Sequence, residues 1–433
     1  MAVHPYQSLP DHCFWRRSIA GVPSGDVDPV VRAKFRIKRS DRIATAGSCF
    51  AQHISRHLAL SGFNYLVTES VHPLVSHLAA DYNYGVFTAR YGNIYTSRQL
   101  LQTVKRAYGL FIPRDDAWPS RDGRVIDPYR PQIQPDGFVS LAELAADRRQ
   151  HFAAIRRAVE ELDVFVFTLG LTETWTYRAD GAAYPLCPGV AGGEFNASEH
   201  AFINLGVSSV IADLTETVEL IRSKNANARL ILTVSPVPLI ATMEDRSVLV
   251  STTYSKSVLR VAAEEVAAGY NEVAYFPSYE IITGSYSRGG YYDDGLRDVT
   301  EQGVSHVMRL FMRHYAADKE EAAAAPELRP DERVEIAERA QREMAEVVAV
   351  MCDEAALDAE VPAPAADMAP VSVRVAAEVI QSPPVIIPAE TGSAMDFLKG
   401  AAAKPLVPRS LPTPPEVQRP RGFFARLARR SGG

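Results

Sequence analysis

Short continuous apolar runs alternate with longer stretches of helical periodicity along most of this chain. Ile43–Ala46, Asp163–Leu169, Arg229–Val234 and Val273–Phe276 are largely apolar and of strand length. Such runs fit strands buried on both faces, as in a parallel sheet. Between them, apolar residues recur at helical spacing, as Phe50, Ile54 and Leu58 do, which predicts helices over about 50–60, 97–108, 141–161, 207–223, 252–268 and 301–315. Ser140 ahead of Leu141 and Glu143 marks the start of the third. The alternation predicts a doubly wound parallel sheet with right-handed crossovers. Residues 82–140, rich in Tyr, Gly, Pro and Asp, predict a partly helical insertion, and 176–205 a long loop.

The expected organisation is an N-terminal extension over 1–40 lying on the domain surface, an α/β domain over 41–315, an amphipathic helical segment within 316–360, and a tail over 361–433. The helical segment would place Val334, Met344, Val347 and Met351 on one side. Repeated Pro and Ala in the tail predict disorder. Its basic end, Arg421–Arg430 with Phe423, Phe424 and Leu427 interspersed, suits an anionic membrane surface or a partner protein, or a solvated tail.

Composition narrows the function classes. A chain of 433 residues with 47% hydrophobic content supports a large core. A net charge of −6 gives no reason to expect nucleic acid binding. Cys13, Cys49, Cys187 and Cys352 are too dispersed for a metal site and read as reduced thiols, so no metal or bound cofactor is expected. Neither a leader peptide nor a membrane span is expected, which predicts a cytoplasmic protein, with peripheral contact at the inner membrane surface left to the basic segment.

The chemistry concentrates in Ile43-Ala-Thr-Ala-Gly-Ser-Cys-Phe-Ala-Gln-His53. A strand ends at Gly47, two nucleophiles follow, and a helix begins. That turn belongs at the carboxyl edge of a sheet, where open α/β folds place their ligands. A helix start lowers a thiol pKa and offers amides to an oxyanion. Cys49 is the leading nucleophile. Ser48 is the alternative, with helix capping its expected role. His53, one turn along the same helix face, is a candidate base.

Gly47-Ser-Cys-Phe-Ala51 resembles the signature of the GSCFA family, which is similar to the SGNH (GDSL-type) hydrolases with their Gly-Asp-Ser block. The resemblance extends over about 40–315. It implies a flavodoxin-like three-layer α/β/α sandwich and acyl transfer to or from oxygen, on acetyl groups of a polysaccharide or other acylated substrate, by an esterase or an O-acetyltransferase. A transferase would take an acyl donor such as acetyl-CoA. The implied oxyanion and substrate residues are Gly170, Thr172 and Glu173, at the position of the Gly-x-Asn-Asp block. A loop glycine or amide from Gly85, Gly92 or Asn93 would join them, and Arg90 would bind an anion or solvate the loop. The Asp-x-x-His block is replaced, with Gly295 at the aspartate position and Asp298 at the histidine position. The base would then be His53, His306, or a carboxylate of Asp294 or Asp298. The competing reading is an inactive glycan-binding or scaffold protein.

Overall fold

The computed structural model describes residues 4–316 except Ala80 and Arg121, together with Leu357; the side chains of Cys49, Pro73 and Ser76 are outside it. The helical segment expected over 331–357 (Leu357 apart), the tail and the basic C-terminus lie outside the described residues.

In chain order the elements are β1 (Ile43–Gly47), α1 (Cys49–Leu60), α2 (Ser97–Ala107), β2 (Trp118–Pro119), β3 (Val125–Ile126), α3 (Leu141–Glu161), β4 (Val164–Leu169) and β5 (Glu173–Tyr177). They continue with β6 (Ala183–Tyr184), β7 (His200–Asn204), α4 (Val207–Lys224), β8 (Arg229–Val234), α5 (Val248–Gly269), β9 (Val273–Tyr275), α6 (Ser278–Thr283) and α7 (Glu301–Tyr315).

The central sheet has the order β1-β4-β8-β9, all parallel. Tyr65 adds a one-residue parallel bridge outside β1. Counting that bridge as a second strand, the order becomes 2-1-3-4-5, the flavodoxin-type order. Side-chain alternation divides each strand between two cores. Ala44, Ala46, Phe165, Phe167, Leu230 and Leu232 face α2, α3, α4 and α5. Ile43, Val164, Val166 and Ile231 face α1, α6 and α7. The result is a three-layer α/β/α sandwich. Its strands are apolar throughout because neither face meets water.

Local signals set the helix starts. Thr96 and Gln99 form a capping box at α2, and Ser140 accepts from the Glu143 N–H at α3. The N-terminal segment runs along α7: Val27 is buried, its carbonyl accepts from His306, and Asp28 pairs with His314 and Arg313. Trp15 is exposed.

Two stretches differ from the sequence expectation. Residues 176–205 are not one long loop. With Glu173–Tyr177 they make a three-stranded antiparallel sheet in the order β6-β5-β7. The 82–140 insertion is fastened to α3 by ion pairs with little access to solvent. Arg90 pairs with Asp147 at 2.9 Å, Arg130 with Asp147 at 2.6 Å and Asp127 with Arg148 at 2.8 Å; the network extends to Glu69, 2.8 Å from His151 Nδ1 of α3 and 3.8 Å from Arg90. Among the described residues no helix is long and apolar enough to cross a membrane.

Candidate active site

The site forms where β1 and β4 diverge, at the point where the strand order reverses. Gly47 closes β1 with φ +144°, and a Cβ there would stand 2.5 Å from the Thr168 carbonyl and 3.1 Å from the Ala51 Cβ. Only glycine lets the chain turn this close to β4. Ser48 follows as the N-cap residue of α1, which starts at Cys49. The Cys49 side chain is outside the described part of the structure, so its position is fixed here by the backbone alone, as the first residue of a helix at the sheet rim.

Ser48 does not cap the helix. Its hydroxyl makes no capping hydrogen bond and is buried without a partner. The expectation of a capping role is corrected accordingly: the extended backbone (ψ −175°) starts the helix without the side chain. Ser48→Ala is therefore expected to leave stability unchanged, or raise it by up to about 1 kcal/mol, since an unsatisfied buried hydroxyl is removed. A capping serine would instead lose about 1 kcal/mol. Thermal denaturation monitored by circular dichroism separates the two. Thr168 Oγ1, on the neighbouring strand, is also buried and unpartnered.

A loop crosses the rim above these residues. The Ile94 N–H donates to the Gly47 carbonyl at 2.9 Å, and the Tyr95 carbonyl accepts from the Gly170 and Leu171 N–H groups at 3.0 and 2.9 Å. Asn93 is thus held between the ends of β1 and β4, buried, with its Oδ1 accepting from Gln52 Nε2 of α1. Gly170 packs against the same turn, since a Cβ there would lie 3.5 Å from the Ser48 Cβ. Gly47, Ser48, Asn93 and Gly170 are therefore brought together at the start of α1.

Other candidates lie elsewhere. Gly85 is an exposed turn glycine with φ +79° and open space around it. Thr172 Oγ1 donates to Asn204 Oδ1 at 2.7 Å and its N–H to Ser255 Oγ, so the hydroxyl is committed away from the rim. Glu173 opens β5 and not a helix. Its carboxylate accepts from Thr242 Oγ1 and the Met243 N–H, and burial raises its pKa. Arg90, nearly inaccessible to solvent, also donates to the carbonyls of Tyr82 and Ile133, so it is a structural anchor of the loop that carries Asn93.

The histidines separate cleanly. His306 has both ring nitrogens engaged, Nδ1 with Tyr291 Oη at 2.7 Å and Nε2 with the Val27 carbonyl at 2.9 Å. It ties α7 to the N-terminal segment, and the base role considered for it does not fit that placement. His53 Nδ1 is buried without a hydrogen-bond partner. Burial pushes its pKa down to about 4, helped by the positive charges of His57 and Arg56. At neutral pH it is an uncharged imidazole able to accept a proton. Asp298 is largely exposed, its carboxylate 3.8 Å from Arg297. Its loop meets the end of β8 through Tyr292 Oη, which donates to the Pro236 carbonyl.

Sequence reading passed over one rim residue. Lys256 of α5 is 1% exposed and donates to the Gly170 carbonyl at 2.7 Å. The signal was present: Lys256 stands at helical spacing from Leu259 and Ala263 on the apolar side of α5. Lys256 thus places a buried amine donor beside the rim that the start of α1 makes positive.

Beside the rim opens an apolar cleft of about 230 Å³, partly open to solvent, walled by Leu171, Trp175, Phe202, Leu239 and Ile240. A smaller crevice, lined by Asn93, Tyr91, Arg130 and Gln132, meets it at Pro185, which lines both.

The GSCFA family model matches residues 42–311, which span β1 through most of α7. The chain belongs to the GSCFA family. Comparison with curated proteins returned no match.

Proposed function

We propose that the β1 rim catalyses acyl transfer, as an SGNH-like O-acyl esterase or O-acetyltransferase acting on a glycan or another acylated substrate, with Cys49 as nucleophile. The observation that carries this reading is the Gly47 turn. It delivers two consecutive nucleophilic residue types to the N-terminus of a twelve-residue helix at the point where the strand order reverses. A helix start favours a thiolate and supplies amide donors for an oxyanion. Asn93, clamped over the same turn, is the side-chain donor we assign to that role. Thr172, whose hydroxyl is turned to Asn204, takes no part in it.

In this mechanism the Cys49 thiolate attacks the acyl carbonyl, and the negative charge on its oxygen is held by the amides at the start of α1 and by Asn93. Collapse breaks the ester C–O bond and leaves an acyl-thioester, the departing alkoxide taking a proton from solvent water. Water or a sugar hydroxyl then attacks the thioester, neutral His53 accepts its proton, and the C–S bond breaks to restore the Cys49 thiolate. A thiol ionises closer to neutrality than a hydroxyl, so it needs less from its base. For the transferase direction the acyl donor would be an acyl thioester such as acetyl-CoA.

The test is hydrolysis of p-nitrophenyl acetate, followed with acetylated glycans as substrates. Turnover is expected to vanish in Cys49→Ala and to persist in Ser48→Ala. Equal, background-level rates for wild type and both variants across several acyl donors would favour the inactive glycan-binding reading, which the altered Asp-x-x-His block supports.

A further inference from the structure

The apolar cleft beside the rim has walls from two separate parts of the fold. Trp175, Phe202 and Leu186 come from the antiparallel sheet and its loop, and Leu239 and Ile240 from the segment after β8. A further lining residue is Leu357, the one residue described beyond Ala316.

The cleft's polar groups are used among themselves. Glu173 accepts from Thr242 and Met243, and Thr174 Oγ1 donates to the Tyr184 carbonyl at 3.0 Å. A saccharide or a charged group would find few polar partners there, whereas an aliphatic side chain needs none. The sequence around Leu357 is Asp353-Glu-Ala-Ala-Leu-Asp358, a single large apolar residue beside two alanines, among acids. That pattern provides one apolar anchor. The roughly forty residues that separate Leu357 from α7 can reach any point on a domain of this size. A tether makes the contact intramolecular, so the anchor occupies the cleft far more than the same segment would as a free peptide.

We propose that the chain around Leu357 docks in cis on the α/β domain, with Leu357, still 43% exposed, as the anchor against the wall of this cleft. The cleft begins at Leu171, next to Gly170 of the rim. An apolar part of a substrate entering there competes with the chain's own leucine. The docking itself does not depend on the rim being catalytic.

The test uses the full-length chain. Cysteines are placed at Ile240, which is partly exposed, and at Asp358, beside the anchor, with Cys13, Cys49, Cys187 and Cys352 changed to serine and a wild-type circular dichroism melt required. A bismaleimide should link positions 240 and 358 within one chain, with a yield unchanged by dilution and several-fold lower when Leu357→Asp is added, as read by peptide mass spectrometry. No 240–358 link, one found only between two chains, or a yield that Leu357→Asp leaves unchanged, overturns the proposal. Independently, Leu357→Asp should raise the maleimide labelling rate of Cys187, a cleft-lining thiol, several-fold in the otherwise native chain. An unchanged rate also overturns it. Loss of p-nitrophenyl acetate turnover has no bearing on either readout, so failure of the acyl-transfer reading is distinguishable.

Discussion

Arg90→Met is expected to cost about 3–5 kcal/mol of stability, read as the loss of unfolding free energy in a urea titration. The side chain is 2% exposed and serves several partners at once: the Asp147 carboxylate, the Tyr84 hydroxyl and the carbonyls of Tyr82 and Ile133, with the Glu69 carboxylate 3.8 Å away. Methionine fills much of the volume but donates nothing. Two carbonyls lose their donor, and Asp147 keeps only Arg130 while still enclosed. The cost of leaving buried acceptors unpaired outweighs the apolar gain from the thioether. Removing the exposed Arg17–Asp11 pair as Arg17→Met should change stability by less than about 1 kcal/mol, because that pair is solvated. A change below about 1 kcal/mol for Arg90→Met would mean the network is not the fastening of the insertion. The same network has a pH signature. Burial works to raise the Glu69 carboxyl, but the hydrogen bond with His151, the charge of Arg130 and the Arg90 N–H prevail and hold it down to about 2. Its pKa is thus lower folded than unfolded. Its contribution is complete above the ordinary glutamate range near 4.5 and is lost as pH falls toward 2.

Gly47→Ala is expected to be the most damaging small substitution at the rim. Alanine at φ +144° is strained by about 1–3 kcal/mol before any contact is counted. Its methyl would also stand 2.5 Å from the Thr168 carbonyl and 2.8 Å from the Thr168 Cβ. The first is backbone of a central strand and cannot swing aside, so overpacking adds a similar amount. We expect a loss of about 3 kcal/mol or more in urea denaturation, and displacement of the α1 start relative to Asn93. If the acyl-transfer reading holds, activity should fall further than stability does, even well below the unfolding temperature. Wild-type stability in Gly47→Ala would contradict the tight approach of β1 to β4.

The fold was readable because two-sided burial writes itself into a strand as an unbroken apolar run. Val164–Leu169 and Arg229–Val234 appear as strands at the expected places, and α3 begins at the serine that marks it. The antiparallel sheet was missed for a physical reason. Its strands are two to five residues long, and in β5 the threonines face inward while Trp175 and Tyr177 are partly exposed. The polar–aromatic alternation of Glu-Thr-Trp-Thr-Tyr carries the right period, but its buried face is not the apolar one.

At the site, the Gly-Ser-Cys turn was legible because strand, glycine and helix stripe are contiguous in the chain. Asn93 and Gly170 reach it from two separate stretches, and the backbone bonds of Ile94 to Gly47 and of Tyr95 to Gly170 and Leu171 show how the 91–95 loop crosses the rim. His306 and Thr172 looked available in sequence because nothing local reveals their partners, Tyr291, Val27 and Asn204. Lys256 was overlooked although a lysine on an apolar helix face is a local signal.

The most direct test of an acyl-transfer rim is to trap its intermediate. Protein quenched in acid during p-nitrophenyl acetate turnover, digested and mapped by mass spectrometry, is expected to carry an acetyl group on the peptide containing Cys49, released by hydroxylamine and absent in Cys49→Ala. Turnover with the acyl group found on Ser48, or on no residue of that peptide, would contradict Cys49 as the nucleophile.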